Sequence, residues 1–249
     1  MTRWLFLLYG GVAYLLFFAA ILYGMGFIGG IVVPKTIDGP LAPPTTALVV
    51  VINVLLLGAF AVQHNVMARP AFKSWWTRIV PPAIERSTFV AAASLLLMLL
   101  YWQWRPIPDR LWRIENWPAQ AAIWTLYGIG WLVVFYSTFL IDHFELFGLK
   151  QVVRHFRGLP VDATPFSERS LYRWVRHPLM LGFLIAFWAA PTMTLGRLLF
   201  AGVCTVWIFF SIWLEERDLL QILGEPYRRY RGRTSMILPL PRGAGSDEM

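Results

Sequence analysis

The chain has 249 residues, of which 57% are hydrophobic and only 14% are charged. Soluble domains carry about 25% charged residues, so this composition excludes an ordinary soluble domain and predicts an integral membrane protein. The formal net charge of +8 is typical of the cytoplasmic loops of a membrane protein and does not indicate a nucleic-acid partner.

Four apolar blocks are predicted to cross the membrane as helices, because about 20 apolar residues span the roughly 30 Å hydrocarbon layer. These blocks are residues 4–28, 47–63, 87–104 and 120–141. Between the second and third blocks, the segment 67–86 interleaves aromatic side chains with cations, which favours a helix lying at headgroup level.

Two further apolar runs, 179–194 and 198–214, follow a long basic loop at 142–176. The helix-breaking sequence P-T-M-T-L-G separates the two runs. As a helix, the first run would be only about 24 Å long. The pair is therefore predicted to form a C-terminal transmembrane helical hairpin that is tilted or only partly inserted.

The expected fold is an all-α integral membrane protein with four spans plus this hairpin, which makes five to six membrane segments. One membrane domain is expected to cover residues 1–249. Its parts are the first four spans (1–141), the cytoplasmic loop (142–176), the hairpin with the region after it (177–235) and a tail (236–249). A cytoplasmic N terminus would place the basic loops on the cytoplasmic face, as the positive-inside rule requires.

Opposite charges flank the predicted hairpin. Arg176, His177 and Pro178 stand directly before it, and Glu215 and Glu216 stand directly after it. The cations and the backbone N–H groups at the helix start would suit a carboxylate, and the two acids would suit an ammonium. An amino-acid moiety would bridge both halves. In the alternative interpretation, the cations contact lipid phosphates and the acids form ion pairs within the protein.

The C-terminal third resembles a family of membrane methyltransferases. The sequences R-H-P-L-M-L-G at 176–182, E-E-R-D-L at 215–219 and G-E-P-Y-R-R-Y at 224–230 are similar to the C-terminal signature of the isoprenylcysteine carboxyl methyltransferase and phospholipid methyltransferase superfamily. The resemblance implies a cytoplasmic site for S-adenosylmethionine within residues 177–235. The implied cofactor-binding residues are Arg176, His177, Pro178, Met180, Gly182, Glu215, Glu216, Tyr227 and Tyr230.

Two details qualify that resemblance. Met180 stands where the isoprenylcysteine enzymes usually have a tyrosine, which weakens the assignment to that branch. Tyr227 and Tyr230 are three residues apart and are predicted to share one helix face. There they would cover the adenine or the ribose, or alternatively act as interfacial aromatic anchors.

Three more segments resemble the NnrU-like bacterial proteins, and within them the enzymes that methylate methanethiol to dimethyl sulfide. They are Q-H-N-V-M-A-R-P at 63–70, P-P-A-I-E-R-S at 81–87 and D-H-F-E-L-F-G-L at 142–149. This resemblance implies in-line methyl transfer to the sulfur of methanethiol, with hydrogen sulfide as a second candidate acceptor, in a membrane-embedded pocket. It also implies a multi-pass protein of the bacterial inner membrane with its active site toward the cytoplasm.

The acceptor thiol needs help to lose its proton, because an alkanethiol is mostly protonated at neutral pH. His64, Asp142 and His143 are the candidate bases, each at the predicted cytoplasmic end of a span. The alternative roles are a hydrogen-bonded interfacial histidine for His64 and a structural pairing of Asp142 and His143 with Arg86 or Arg154. The expected substrate-binding residues are Gln63, Arg86 and Glu145.

Two other classes of function remain open from the residues alone. One is a methyltransferase for another lipophilic acceptor, a prenylcysteine carboxylate or a phospholipid amine. The other is a non-catalytic haem- or quinone-binding membrane protein that uses His64, His143 and His177 as ligands. The single cysteine, Cys204, excludes a disulfide or a cysteine-based metal cluster within the chain, and no metal site is expected. The expected partners are a small volatile thiol and the lipid bilayer, with no obligate protein partner.

Overall fold

A computed structural model describes residues 2–39, 46–160 and 169–239 of the chain. Its α-helices are α1 (Thr2–Gly29), α2 (Ala47–Ala68), α3 (Pro70–Trp76), α4 (Pro82–Gln103), α5 (Trp117–Ile141), α6 (His143–Leu146), α7 (Leu149–Arg157), α8 (Pro178–Trp188), α9 (Leu195–Leu223) and α10 (Glu225–Arg233). A short 3-10 helix covers Ser170–Arg173, and two short strands are β1 (Arg110–Arg113) and β2 (Thr192–Thr194). Most of the predicted tail and residues 161–168 of the predicted cytoplasmic loop lie outside the described residues.

Within the described residues, five helices are long and apolar enough to cross a membrane: α1, α2, α4, α5 and α9. The chain is therefore a mostly helical, multi-pass membrane protein, as its composition predicts. The predicted spans at 4–28 and 47–63 fall inside α1 and α2, and the run 198–214 falls inside α9. The basic, aromatic segment after α2 contains the short helix α3, so a helix is present where one was predicted.

The first arm of the predicted hairpin differs from the expectation. The helix α8 has 11 residues, which makes it only about 16 Å long. The chain then leaves the helix and forms β2, which pairs antiparallel with β1. The pairing joins Arg113 to Thr192 and Arg110 to Thr194. The all-α prediction misses this small sheet because strands of three and four residues leave too little alternation to detect.

The described residues divide into two compact units. The first unit draws on Met1–Arg113, Asp142–Ala163 and Thr192–Val203. The second draws on Ile114–Ile141, Thr164–Pro191 and Cys204–Met249.

In the first unit, α1 and α7 approach each other closely because Gly10 has no side chain. A Cβ atom at Gly10 would lie 2.5 Å from a methyl carbon of Val152, which is fully buried. The loop after α1 is held to the start of α9 by Arg197, whose Nε lies 2.7 Å from Oδ2 of Asp38. Trp104 is also fully buried there, and its Nε1 donates to the carbonyl of Ile37 at 2.9 Å.

In the second unit, α5 and α8 touch through their backbones at two glycines. A Cβ atom at Gly182 would lie 2.7 Å from the carbonyl oxygen of Gly130 and 2.8 Å from the amide nitrogen of Val134. One residue further along both helices, the rings of Trp131 and Phe183 pack edge to face at 5.8 Å. This contact holds α8 against α5.

Candidate functional site

A buried carboxylate, that of Glu216, is the centre of a cluster of basic side chains in the second unit. Its Oε1 lies 2.7 Å from Nε of Arg176 and 3.1 Å from Nε2 of His177. Its Oε2 lies 3.4 Å from Nε of Arg231. The side chains of Arg176 and Glu216 are only 2% and 7% exposed. Charges this deeply buried are stable only when they are paired, as they are here.

The C-terminal segment after α10 brings this cluster together. The backbone N–H of Arg176 donates to the carbonyl of Ser235 at 2.8 Å, and that of His177 donates to Met236 at 3.1 Å. The guanidinium of Arg176 also donates to the carbonyl of Thr234. The chain just before α8 is therefore held by the segment that follows α10.

Glu215 differs from its neighbour because its side chain is 48% exposed. Its Oε2 lies 3.8 Å from Nδ1 of His177, at the edge of ion-pair range. The oppositely charged groups that flank the predicted hairpin therefore do meet. Glu216 pairs directly with Arg176 and His177, which is the arrangement of the alternative interpretation, and Glu215 is the more accessible acid of the two.

Three of the other residues implied by the resemblance lie in α8. Pro178 is buried at the first position of that helix, and His177 precedes it as the N-cap, with a side chain that contacts Glu216 and does not bond to the helix backbone. Met180 packs against an apolar cluster that includes Ile208 and Ile212. Gly182 makes the backbone contact with α5. Packing accounts for Met180 and Gly182 in this structure, and a ligand contact for them stays a prediction.

Tyr227 and Tyr230 share one face of α10, with ring centroids 5.9 Å apart. Both are buried, and the hydroxyl of Tyr230 donates to the carbonyl of Tyr172 at 2.7 Å. Burial and the nearby charge of Glu216 raise the pKa of Tyr227 well above its usual range, so its phenol stays protonated at physiological pH. The two rings are packed inside the second unit, and their predicted role at the adenine or ribose stays a prediction.

In the first unit, Asp142 and Glu145 share a cation that the sequence interpretation did not select. Nζ of Lys150 lies 2.6 Å from Asp142 and 2.7 Å from Glu145. Asp142 also caps α6 by accepting from the backbone N–H of Glu145 at 3.0 Å. Burial opposes the charge of Asp142, but the hydrogen bonds from Lys150 and Glu145 outweigh it and lower the pKa of the carboxyl. The partner of Asp142 in these contacts is thus Lys150, whereas the alternative structural role had named Arg86 or Arg154.

His143 is buried next to Asp142, and its Nε2 lies 2.8 Å from the hydroxyl of Tyr14. The ring of Phe147 packs against it at 4.9 Å. Burial lowers the pKa of His143, and the charge of Asp142 opposes the shift only in part. The imidazole is therefore neutral at pH 7.

The remaining predicted site residues converge on Phe89 of α4. The ring of His64 lies 5.2 Å from that of Phe89, and the guanidinium of Arg86 lies 4.7 Å from its centroid. Nε2 of Gln63 is 3.5 Å from the carbonyl of the same residue. Nε of Arg86 donates to the carbonyl of Leu146 at 2.7 Å, which ties the start of α4 to α6.

Four residues at these places were not selected from the sequence: Tyr14, Phe89, Lys150 and Arg231. Lys150 and Arg231 both belong to basic segments, so the sequence indicated that they are candidates for ion pairs. Charge alone does not say which cation pairs with which acid. Tyr14 and Phe89 lie inside apolar blocks, where one more aromatic residue carries no signal.

Two partly exposed charged groups of the second unit could hold the ammonium and the carboxylate of an amino-acid moiety. The half-exposed carboxylate of Glu215 suits an ammonium, and the guanidinium of Arg231, 49% exposed, suits a carboxylate. In the described parts of the chain, no group of three or more His, Cys, Asp or Glu side chains is placed to hold a metal ion.

Known proteins resemble this chain over nearly its full length. It is 54% identical over 241 residues to methanethiol S-methyltransferase of Mycobacterium tuberculosis, covering 97% of this chain and 98% of the relative. It is 54% identical over 235 residues to methanethiol S-methyltransferase 1 of Bradyrhizobium diazoefficiens, covering 94% and 82%. Nurim of Mus musculus is 33% identical over 185 residues, covering 71% and 70%. No family model matches the chain, and no solved structure matches it.

Proposed function

This chain belongs to the methanethiol S-methyltransferase family, and we propose that it transfers a methyl group to the sulfur of methanethiol, giving dimethyl sulfide. The observation that carries the proposal is the 54% identity over 97% of this chain and 98% of a relative with that name. A likeness of that extent covers both the Glu216 cluster and the residues around Phe89. The methyl leaves its donor as the thiol sulfur attacks it in line, and the alignment of the two reactants supplies much of the rate.

We propose S-adenosylmethionine as the methyl donor, because its sulfonium carries an electrophilic methyl group and its amino-acid end fits the charges of the second unit. In this proposal Glu215 accepts hydrogen bonds from the ammonium, and Arg231 faces the carboxylate. Glu216 has a positioning role, since it holds Arg176, His177 and Arg231 in one place. Pro178, Met180, Gly182, Tyr227 and Tyr230 are proposed to shape that site from α8 and α10.

We place the acceptor at the cluster around Phe89 in the first unit. Gln63, His64 and Arg86 meet there, and a small apolar thiol suits walls built from aromatic and methionine side chains. Asp142 and His143 remain candidate bases, but their hydrogen bonds to Lys150 and Tyr14 favour a role in holding α6. Glu145 shares Lys150 with Asp142. We propose that Glu145 contacts the substrate while it stays paired with Lys150.

The test is direct. Detergent-purified protein, S-adenosylmethionine and methanethiol are sealed together, and dimethyl sulfide in the headspace is measured against the demethylated co-product in solution. We expect the two products in equal amounts and none from boiled protein. Donor binding by calorimetry without dimethyl sulfide would contradict methanethiol as acceptor. Hydrogen sulfide, a prenylcysteine and phosphatidylethanolamine then complete the acceptor panel.

We also propose that the protein lies in the bacterial inner membrane with its Arg-rich C-terminal helix α10 in the cytoplasm, as the positive-inside rule favours. An Arg229→Cys variant tests this, because Arg229 is exposed and the native Cys204 is buried. A membrane-impermeant maleimide should label the variant in inverted vesicles and leave it unlabelled in intact cells. Labelling in intact cells would contradict the orientation.

A further inference from the structure

Four buried polar atoms in the first unit make no hydrogen bond in the described parts of the chain, and three of them lie on α2, α3 and α4. These three are Oε1 of Gln63 in α2, Nε1 of Trp76 in α3 and Oε1 of Glu85 in α4. Buried polar atoms are nearly always hydrogen-bonded, to protein or to something held by the protein. Three such atoms from three neighbouring helices indicate a place built for a polar group from outside the chain.

Two of the three side chains, those of Gln63 and Trp76, contact one apolar cluster, formed by Met67, Phe89 and Val90. Trp76 packs against this cluster directly. The amide of Gln63 lies 3.1 Å from the sulfur of Met67 and 3.5 Å from the carbonyl of Phe89.

Helix register places Glu85 at the same level as this cluster. Gln63 of α2 contacts Phe89 of α4, and the chain reverses direction between the two helices. Met67 is one helical turn after Gln63, and Glu85 is one turn before Phe89, so both lie one turn closer to the helix ends. Glu85 is only 9% exposed there.

Two acceptors and one donor around an apolar cluster match the chemistry of a thiol. An S–H group is a weak donor and its sulfur is a weak acceptor, while the attached methyl group is apolar. We propose that Gln63, Trp76 and Glu85 line the acceptor site and that the carboxylate of Glu85 takes the proton of the thiol. This inference rests on the proposed function and adds a residue to it.

Glu85 is close to two cations and to the start of a helix. It lies in the first turn of α4, where the positive end of the helix dipole stabilises a carboxylate. Lys73 of α3 and Arg86 of α4 are close enough for their charges to interact with it. The other titratable or charged groups near those two cations are Arg69, His64 and Glu145.

The step is a proton transfer followed by substitution. The S–H bond breaks, its proton passes to Oε1 of Glu85, and the electron pair stays on sulfur. That pair forms the new S–CH3 bond as the bond between the methyl carbon and the donor sulfonium breaks, which leaves a neutral thioether. Glu85 then releases its proton to solvent.

The variant Glu85→Gln tests the assignment, because it keeps the shape of the side chain and removes the base. For methanethiol at pH 7, we expect kcat/KM to fall by about 10²–10⁴-fold, the usual contribution of a positioned base. Donor affinity by calorimetry should not change. The defect should shrink toward none with acidic alkanethiols that are already ionised at pH 7, since these need no base. Glu115→Gln, at an exposed position outside the cluster, is the matched control and should behave as wild type.

Two more variants keep the inference testable if Glu85→Gln does not fold. Glu85→Asp retains a carboxylate and should keep activity with methanethiol and acidic thiols alike, at a reduced rate. Trp76→Phe removes one N–H donor and should raise KM for methanethiol by about two- to tenfold while kcat changes less.

The outcomes separate this inference from the function on which it rests. A wild-type protein that forms no dimethyl sulfide contradicts both. If the wild type forms it and Glu85→Gln is equally active, only the assignment of Glu85 is wrong. A loss of the same size with every thiol, whatever its acidity, would show that Glu85 has a structural role and would also overturn the assignment.

Discussion

Nε of Arg176 lies 2.7 Å from Oε1 of Glu216, although the two residues are 40 positions apart in the chain. One residue precedes α8 and the other lies near the end of α9, so the pair joins the two ends of the C-terminal helical region. Both side chains are almost completely buried. The pair therefore holds the proposed donor site together from inside.

Removing the carboxylate at the centre of this cluster should destabilise the protein strongly. In Glu216→Ala, Arg176 becomes a buried charge without its partner, and we expect the free energy of unfolding in mild detergent to fall by about 3–5 kcal/mol. The matched control is Glu215→Ala, whose half-exposed carboxylate should contribute less than about 1 kcal/mol. Equal losses in the two variants would show that burial of the pair is not what matters.

Glu215 should matter for the donor more than for stability. Glu215→Gln loses the charge that faces the ammonium, and we expect the affinity for S-adenosylmethionine to fall by about 10–100-fold, as for one lost hydrogen bond to a charged group. Calorimetry measures the affinity, and the melting temperature should stay within experimental scatter. Glu225→Gln, an exposed acid on α10 paired with Arg228, is the control. Unchanged affinity in Glu215→Gln would remove Glu215 from the proposed site.

The buried His143 should make the protein less stable in mild acid. Because burial lowers the pKa of His143 in the folded state, the unfolded chain takes up a proton at a higher pH than the folded one. The stability that neutral, buried His143 gives to the folded protein is fully present above the ordinary pKa of about 6.5. This stability is lost as the pH falls from there toward the lowered pKa of the folded state. Melting temperatures between pH 8 and pH 5 should fall less steeply in His143→Gln than in wild type. Identical slopes would contradict this origin.

The contact between α5 and α8 should tolerate no side chain at Gly182. A Cβ atom there would meet backbone atoms of α5 at 2.7 and 2.8 Å, and backbone cannot move aside as a flexible side chain can. We expect Gly182→Ala to destabilise the protein by about 1–3 kcal/mol. Gly128→Ala in α5 is the control, because nothing lies within 4 Å of its Cβ position, and it should be neutral or slightly stabilising. An unchanged melting temperature in Gly182→Ala would contradict this close contact.

Long apolar blocks predicted the membrane helices correctly, since the hydrophobic length of a segment is a local property. The short arm α8 was harder to delimit. The predicted first arm extended to residue 194, but the helix ends at Trp188, and Thr192–Thr194 pair with β1, which lies far away in sequence. Pro191 is a local signal that the helix stops nearby, whereas the strand pairing with β1 is a long-range contact that consecutive residues do not reveal.

The candidate site also has features that consecutive residues determine and features that depend on long-range contacts. The amino-acid sequence alone determined the class of protein and which charged groups stand at the ends of the C-terminal helices, and motif order indicated the family. Tertiary structure decided which of these side chains pair with one another. Glu216 contacts Arg176 and His177, and Lys150 forms an ion pair with Asp142. The carboxylate of Glu215 stays half-exposed. Tertiary structure also decided that Glu85 is buried. The physical reason is that burial and ion pairing depend on distances between side chains that are remote in sequence, whereas membrane-spanning length depends on consecutive residues.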